Sequence, residues 1–422
     1  MGSDRGPLDV WLYGTHVAGI ERLDGRIRWT WQQAATVRWG RGSRVVSELL
    51  PTDRPEHRPH DRRVEVFLEG LLPEGNAREH LAHDAGLVAD DVYGMVAAYG
   101  RDTAGALVFV PAGHPQPSPD EQLHPVDDAE IGAMLRRALV HAPALGSEPG
   151  VQSTSLAGMQ PKIVLVRTED GWARPLGGAP STHIIKIAHP AESAAADVVD
   201  TEAATLAMAR EVGLGEVTAT VQEFDGVRAI VVSRYDRRID DGGVTRIHQE
   251  DSAQALGINT ADPNRKFQRG KQLPSLAAIA DVLRNGGSEP DALLALTTFN
   301  LAVGNTDAHA KNISVLRLPD GTARLAPAYD VAMHLHHQPG SRSFAMDVND
   351  SWDVDRLTGA DLVAEGESWG LPRRRAERVV RSMLTRVEAA LPVLDRPEHG
   401  AVSAVARARV ARQVTTLLHS LS

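Results

Sequence analysis

Gly304-Asn305-Thr306-Asp307-Ala308-His309-Ala310-Lys311-Asn312 is the stretch on which the reading of this chain turns. Upstream of it, Leu293, Leu296, Phe299 and Val303 recur at helical spacing. A buried helix is therefore expected to run into Gly304, a residue free to take the positive φ that ends it. Asp307 and Asn312 stand five apart, the D-x-x-x-x-N spacing of a protein-kinase catalytic loop. In that chemistry the aspartate accepts the proton of the attacking hydroxyl, and the asparagine oxygen helps hold Mg²⁺. Downstream, Ile313 to Leu318 reads as a strand, Asp320-Gly321 as a turn and Thr322 to Ala326 as the returning strand. Reflection about that turn sets Asn312 opposite roughly residue 329, so Asp330 returns to the same end of the hairpin. A carboxylate and an amide oxygen meeting there suit a hard, oxygen-seeking cation. Taken singly, Asp and Asn are ordinary turn residues, but three in this arrangement point to phosphoryl transfer.

Composition bounds the rest. The chain has 422 residues, 42% apolar and 24% charged, enough for two or three domains with a sizeable core. A formal charge of −10 argues against nucleic-acid binding by bulk electrostatics. With no cysteine, disulfides, thiolate metal sites and cysteine nucleophiles are excluded. The N-terminus lacks the apolar run of a signal peptide, and no segment approaches the roughly 18 apolar residues that span a bilayer. A cytoplasmic protein without membrane contact is expected.

Along the chain, Val10 to Tyr13 and Ile27 to Trp31 read as strands about an Asp24-Gly25 turn, and four of the seven tryptophans precede residue 40. Five prolines between 111 and 125 have the composition of a linker. Ile163 to Val166, His183 to Ile187 and Gly226 to Ser233 read as further strands. A helix is expected from Thr201 to Val212, with Asp200 as N-cap and Gly213 as stop. Helices at Leu276 to Arg284, Asp291 to Val303, Pro372 to Leu391 and Ala401 to Leu421 fill the remainder. The expected fold class is α+β, with two unlike lobes and a cleft between them. The expected parts are residues 1–113 as an extra N-terminal subdomain, 124–240 as the sheet-rich lobe and 241–422 as the helical lobe.

Other groups are weaker alone. Ser153 to Lys162 lacks the second glycine of a Walker A motif, yet it could form a small-residue flap over phosphate, or an ordinary polar loop. Lys186 lies inside the apolar strand Ile184 to Ile187, where a kinase places the lysine that meets α/β-phosphates and a helix glutamate. Glu202 is the sequence-adjacent candidate for that glutamate. Met333-His334-Leu335-His336-His337 lacks the H-E-x-x-H pattern and any obvious third ligand, so metal binding is not expected there. Arg265 to Lys271 reads as a solvated basic loop or a grip for an acidic partner.

Ser155-Leu-Ala-Gly-Met-Gln-Pro-Lys162, Thr182 to Lys186, Val232 to Asp236, His248 to Asp251, Gly304 to Asn312 and Tyr329-Asp330 together resemble the HipA family of toxin–antitoxin serine/threonine kinases. Leu71-Leu72-Pro73-Glu74-Gly75 and Gly100-Arg101-Asp102 resemble that family's N-terminal subdomain. The resemblance implies a two-lobed protein-kinase-like fold that uses ATP and Mg²⁺. It implies Asp307 as catalytic base and Asn312 and Asp330 as metal ligands. Nucleotide contacts are implied from Ser155, Gly158, Lys162, Lys186, the hinge Ser233 to Tyr235, His309 and Lys311. Ser155 matches the family's autophosphorylated serine, with Ser153 a second acceptor. Phosphate there would oppose ATP and eject the loop. Pro161 stands where the family usually has glutamate, and it removes one backbone N–H from the flap.

The implied target is an aminoacyl-tRNA synthetase, most often the glutamyl enzyme, whose phosphorylation halts translation and promotes persistence. The implied partner is a HipB-like helix-turn-helix antitoxin, with operator DNA met only through it. The competing readings are a kinase of the same fold acting on another protein or a small molecule, and a non-catalytic antitoxin–DNA module. A hydrolase around His309 lacks a nucleophile–base–orienter pattern.

Overall fold

Tight X-Gly turns set the strand pairing. Tyr13-Gly14, Asp24-Gly25 and Asp225-Gly226 all hold positive φ at both positions, the two-residue turn whose twist matches paired strands. The computed structural model describes residues 5–57, 61–116, 123–139, 160–240, 243–268, 274–337 and 340–421. Ser153, Ser155 and Gly158 lie outside the described residues.

The first turns build a five-stranded antiparallel sheet from Leu8–Leu12, Thr15–Leu23, Arg26–Trp31, Glu56–His57 and Val108–Pro111. Helices Arg62–Gly70 and Val92–Tyr99 cover it, with Trp29 edge-on to Phe67 in a core of its own. Trp29 and Trp31, two of the four tryptophans before residue 40, are buried in that core.

A second sheet has six strands in the order Ala219–Phe224, Val227–Ser233, His183–Ile187, Lys162–Thr168, Gly171–Pro175 and Leu123–Val126. Strand alternation divides its side chains between two helices. Ile185, Ala229 and Val231 pack with Ile131 and Leu135 of helix Asp128–Leu139. Ile230 and Val232 pack with Val199, Ala203 and Leu206 of helix Val198–Glu211. Lys186 is the cross-strand partner of Ile230 and shares its face. Helix Val198–Glu211 starts three residues before the expected Thr201. Asp197, not Asp200, stands at its N-cap, because Asp200 is used inside the first turn. There it ion-pairs with Arg228 and accepts the Ala401 N–H. Gly213 ends the helix at φ 78°, as expected.

The second half of the chain forms a helical lobe around Asp291–Val303, in which every residue from Leu293 to Val303 is buried. Helices Leu276–Asn285, Gly359–Ser368, Arg373–Ala390 and Ala404–His419 share one apolar core with it. Against this lobe lies a three-stranded sheet of His248–Asp251, Ser314–Arg317 and Ala323–Leu325. Among the described residues no helix is long and apolar enough to cross a membrane.

Candidate active site

The helix Asp291–Val303 delivers the loop that carries Asp307 and Asn312. Gly304 caps it at φ 75°, with its N–H bonded to the carbonyls of Asn300 and Leu301. Local side chains then fix the loop. Asn305 Nδ2 donates to Asn300 Oδ1 at 2.9 Å, and Asn305 Oδ1 accepts the Asp307 N–H at 3.1 Å. Asn312 Nδ2 donates to the Asp307 carbonyl at 2.9 Å, which leaves Asn312 Oδ1 as the atom available to a cation. The hairpin register pairs Val315 with Leu325 and Arg317 with Ala323. Continued, it sets Asn312 level with Ala328, one residue short of the reflection expected from sequence. Asp330 follows at φ 54°, a left-handed conformation that a non-glycine residue holds only where the surroundings impose it.

Across the cleft, Lys186 Nζ donates to Glu202 Oε1 at 2.8 Å and to Asp330 Oδ1 at 2.5 Å. The strand, the helix beside it and the loop after the hairpin thus meet at one ammonium. Burial alone would raise the Asp330 carboxyl, but the Lys186 charge and hydrogen bond, then Lys162, hold it well below the usual range. Burial raises the Glu202 carboxyl despite Lys186.

Lys162 lies directly opposite Lys186 in the antiparallel ladder. Burial and then the Lys186 charge bring its ammonium down to about 8. Like charges set opposite each other are unfavourable. Two ammoniums held so, beside an acidic cleft, suit a polyanion that bridges them.

Asp307 is half exposed, its side chain 55% open to solvent. Partial enclosure by the cleft, then the Asp330 charge, push its carboxyl up to about 6. His309 Nε2 stands 3.9 Å from Asp307 Oδ1, and its ring meets Phe267 edge-on. Burial, then Lys266, keep that imidazole down at about 3, so it is neutral near pH 7.

Lys311 does not point into open cleft. Its ammonium is buried between Glu74 and Asp251, 3.3 Å from each. Glu74 also accepts from Lys266 at 3.1 Å. Lys266 is therefore buried in an ion pair rather than part of a solvated basic loop. Glu74 and Asp251 lie in blocks quoted from the sequence, yet no role was read for either. Locally, Arg78 at i+4 is the cation the sequence offers to Glu74, but Arg78 pairs with Glu69 instead.

In the segment expected as the hinge, Ser233 Oγ accepts the Thr218 N–H at 2.8 Å and Arg234 N–H reaches the Thr182 carbonyl at 2.9 Å. Tyr235 Oη donates to Gln249 Oε1, and its ring lies 5.0 Å from that of Tyr329. Tyr329 Oη donates to the Lys311 carbonyl at 2.7 Å, which ties hinge, catalytic loop and Asp330 together.

The histidine run is brought to a third ligand after all. Asp197 takes His336 Nε2 at 2.7 Å on one oxygen and His337 Nε2 at 2.8 Å on the other.

Comparison with known proteins agrees with this geometry. Residues 154–391 match the HipA-like C-terminal domain and residues 8–110 the HipA N-terminal domain. The chain belongs to the HipA family of serine/threonine kinase toxins. Among similar proteins, the "Putative kinase Y4mE" of Sinorhizobium fredii is 33% identical over 392 residues, 86% of this chain and 87% of that one. The "Serine/threonine-protein kinase toxin HipA" of Shewanella oneidensis is 28% identical over 379 residues, 85% of this chain and 84% of that one. A solved structure of the Shewanella oneidensis HipA, HipB and operator DNA complex superposes with a TM-score of 0.78. It covers 98% of this chain and 96% of that one at 24% identity, which shows the fold. The expected two-lobed kinase-like fold is what the structure has. As a HipA-family kinase the chain is an enzyme of the class that uses ATP with a divalent metal.

Proposed function

We propose that this chain is an ATP- and Mg²⁺-dependent protein serine kinase that acts as the toxin of a HipA/HipB-like pair. The observation that carries the reading is the meeting of Glu202 and Asp330 on Lys186, across the cleft from Asp307. Bound ATP supplies the transferable phosphoryl group, and Mg²⁺ offsets its negative charge. The donor set fits both. Two oxygens of different chemistry, from Asp330 and Asn312, suit a hard cation that keeps several waters. Lys162 and Lys186 offer paired positive charge to phosphate. Asp307 is placed to accept the proton of a substrate hydroxyl, and a carboxyl near 6 is a stronger base than an ordinary aspartate while still ionised at pH 7. Ser233 to Tyr235 offer the hinge backbone to adenine, and His309 is proposed as a further nucleotide contact, its Nε2 3.9 Å from Asp307.

The proposed substrate is an aminoacyl-tRNA synthetase, the glutamyl enzyme first, so that transfer stops translation and leads to growth arrest. Ser155, with Ser153 as second acceptor, is proposed as the self-inactivating site. Phosphate there adds about −1.5 to −2 charge beside the nucleotide phosphates. A HipB-like antitoxin is proposed as partner, by likeness to the Shewanella complex, with operator DNA reached through it and the cytoplasm as its compartment.

Incubation with labelled ATP and Mg²⁺, with Asp307→Gln as control, tests the reading. Label is expected on Ser155 and on one dominant synthetase serine. Wild type that transfers no label to itself or to any synthetase would end the proposal.

A further inference from the structure

The two most separate parts of the nucleotide site are tied a second time, outside the cleft. Asp197 is the N-cap residue of the helix that carries Glu202, five residues before it. His336 and His337 follow Asp330 by six and seven residues. The Asp197 carboxylate spans these elements, with one imidazole Nε2 on each of its oxygens at 2.7 and 2.8 Å. The two imidazoles lie 4.2 Å apart between ring centroids. All three ligand atoms fall within 4.8 Å of one another. Beside them, His334 holds a buried Nδ1 that has no hydrogen-bond partner among the described residues, its ring 6.2 Å from that of His337.

We propose that Asp197, His336 and His337 form a binding site for a borderline transition-metal cation, of which Zn²⁺ is the best fit. Two imidazoles and one carboxylate are the donor set of an open zinc site, in which water takes the fourth position. Hard Mg²⁺ or Ca²⁺ would call for more oxygen donors. A tetrahedral zinc about 2.0–2.2 Å from each donor places neighbouring donor atoms about 3.3 Å apart. The two histidines meet different oxygens of Asp197, at 2.7 and 2.8 Å, so rotation of the three side chains brings one carboxylate oxygen and both Nε2 atoms to this spacing. On binding, each neutral imidazole presents an unprotonated Nε2 and carries its proton on Nδ1, so one cation held by all three residues replaces the two hydrogen bonds to Asp197. His334 Nδ1 is left as an acceptor beside the open position. The cation clamps the Glu202 helix to the segment after Asp330 and so holds both acids on Lys186. This site is separate from the Asn312/Asp330 pair and does not depend on the activity proposed above.

The test uses the full chain, freed of metal by chelation and titrated with Zn²⁺ against a chromophoric chelator. One tight equivalent is expected, with a rise in melting temperature. His336→Gln/His337→Gln should weaken it by at least about 100-fold, because two of three donors are lost. Asn312→Ala, which leaves the three donors untouched, should keep the equivalent. Co²⁺ on the unmutated chain gives an independent reading that survives misfolding of a variant. Intense visible absorption expected of nitrogen-rich low coordination supports the site. A weak octahedral spectrum, no tight equivalent, or an equivalent that survives the double substitution in a folded variant would overturn it, and Asp197 would then be a hydrogen-bonded latch only.

Discussion

Asp307 and Lys186 carry opposite burdens at the site. As the proposed base, Asp307 would have to lose its proton, and the cleft and Asp330 both oppose that loss. The rate should therefore rise with pH through about 6 and level off above it, as measured by initial rates of labelled phosphate transfer. The sign follows from the raised carboxyl: below about 6 the base is protonated and idle. Asp307→Gln is expected to lower kcat by about 10²–10⁴-fold while calorimetric ATP binding stays unchanged. Lys186→Met removes the ammonium that Glu202 and Asp330 share. ATP affinity and transfer should both fall, by about 100-fold or more in kcat/KM, since a buried charge pair is left uncompensated. An equal transfer rate in this variant would show that Lys186 is only a structural ion.

The catalytic loop depends on one backbone turn. An alanine Cβ at Gly304 would lie 2.7 Å from Leu335 in a residue held at φ 75°. Strain and overpacking together should destabilise Gly304→Ala by about 2–4 kcal/mol, read from urea unfolding, with the loop displaced and transfer reduced. At this scale much was legible. The helix Asp291–Val303, its glycine stop and the hairpin about Asp320-Gly321 all follow from spacing and turn chemistry, which are local. The return of Asp330 to the end of the hairpin that carries Asn312 was legible because the turn fixes that register. Lys186 and Glu202 were legible as a pair because a strand and the next helix must pack. Glu74 and Asp251 were not, since the partner they share, Lys311, lies more than fifty residues away along the chain. The third member of the histidine cluster was missed for the same reason: nothing local to Met333 to His337 names Asp197. The start of helix Val198–Glu211 was misplaced because Asp200 has the look of a cap but is held by Arg228 and Ala401 instead.

Over the whole molecule, the N-terminal part, residues 8–110, is welded to the kinase lobes by buried polar groups. Tyr13 Oη donates to the Arg317 carbonyl at 2.6 Å, Gly105 N–H donates to Asp236 at 2.7 Å, and Ser47 Oγ donates to Glu250 at 2.6 Å. Asp102 accepts from Ser181 and pairs with Arg237, which fastens the hinge. Glu74→Gln should cost about 3 kcal/mol, because Lys266 and Lys311 lose their common acid. His248 gives the junction a pH limit. It is fully buried, with Nε2 at 2.8 Å from the Val46 carbonyl and Nδ1 accepting the Ala106 N–H, an arrangement that only a neutral imidazole can make. Burial keeps it at about 4 against 6.5 when free. Its contribution is complete above pH 6.5 and is lost as pH falls towards 4, about 3 kcal/mol in all. Urea midpoints should fall over that window, and His248→Gln, which can still donate and accept, should flatten the slope.

Glu74 has one more consequence. It lies outside both kinase lobes, yet the lysine between Asp307 and Asn312 depends on it. Anything that grips the N-terminal part and moves Glu74 therefore changes the free energy of the catalytic loop. By reciprocity, a nucleotide that orders this loop changes the strength of that grip by the same factor. A partner could then read the filling of the cleft from the far side of the molecule, without touching it.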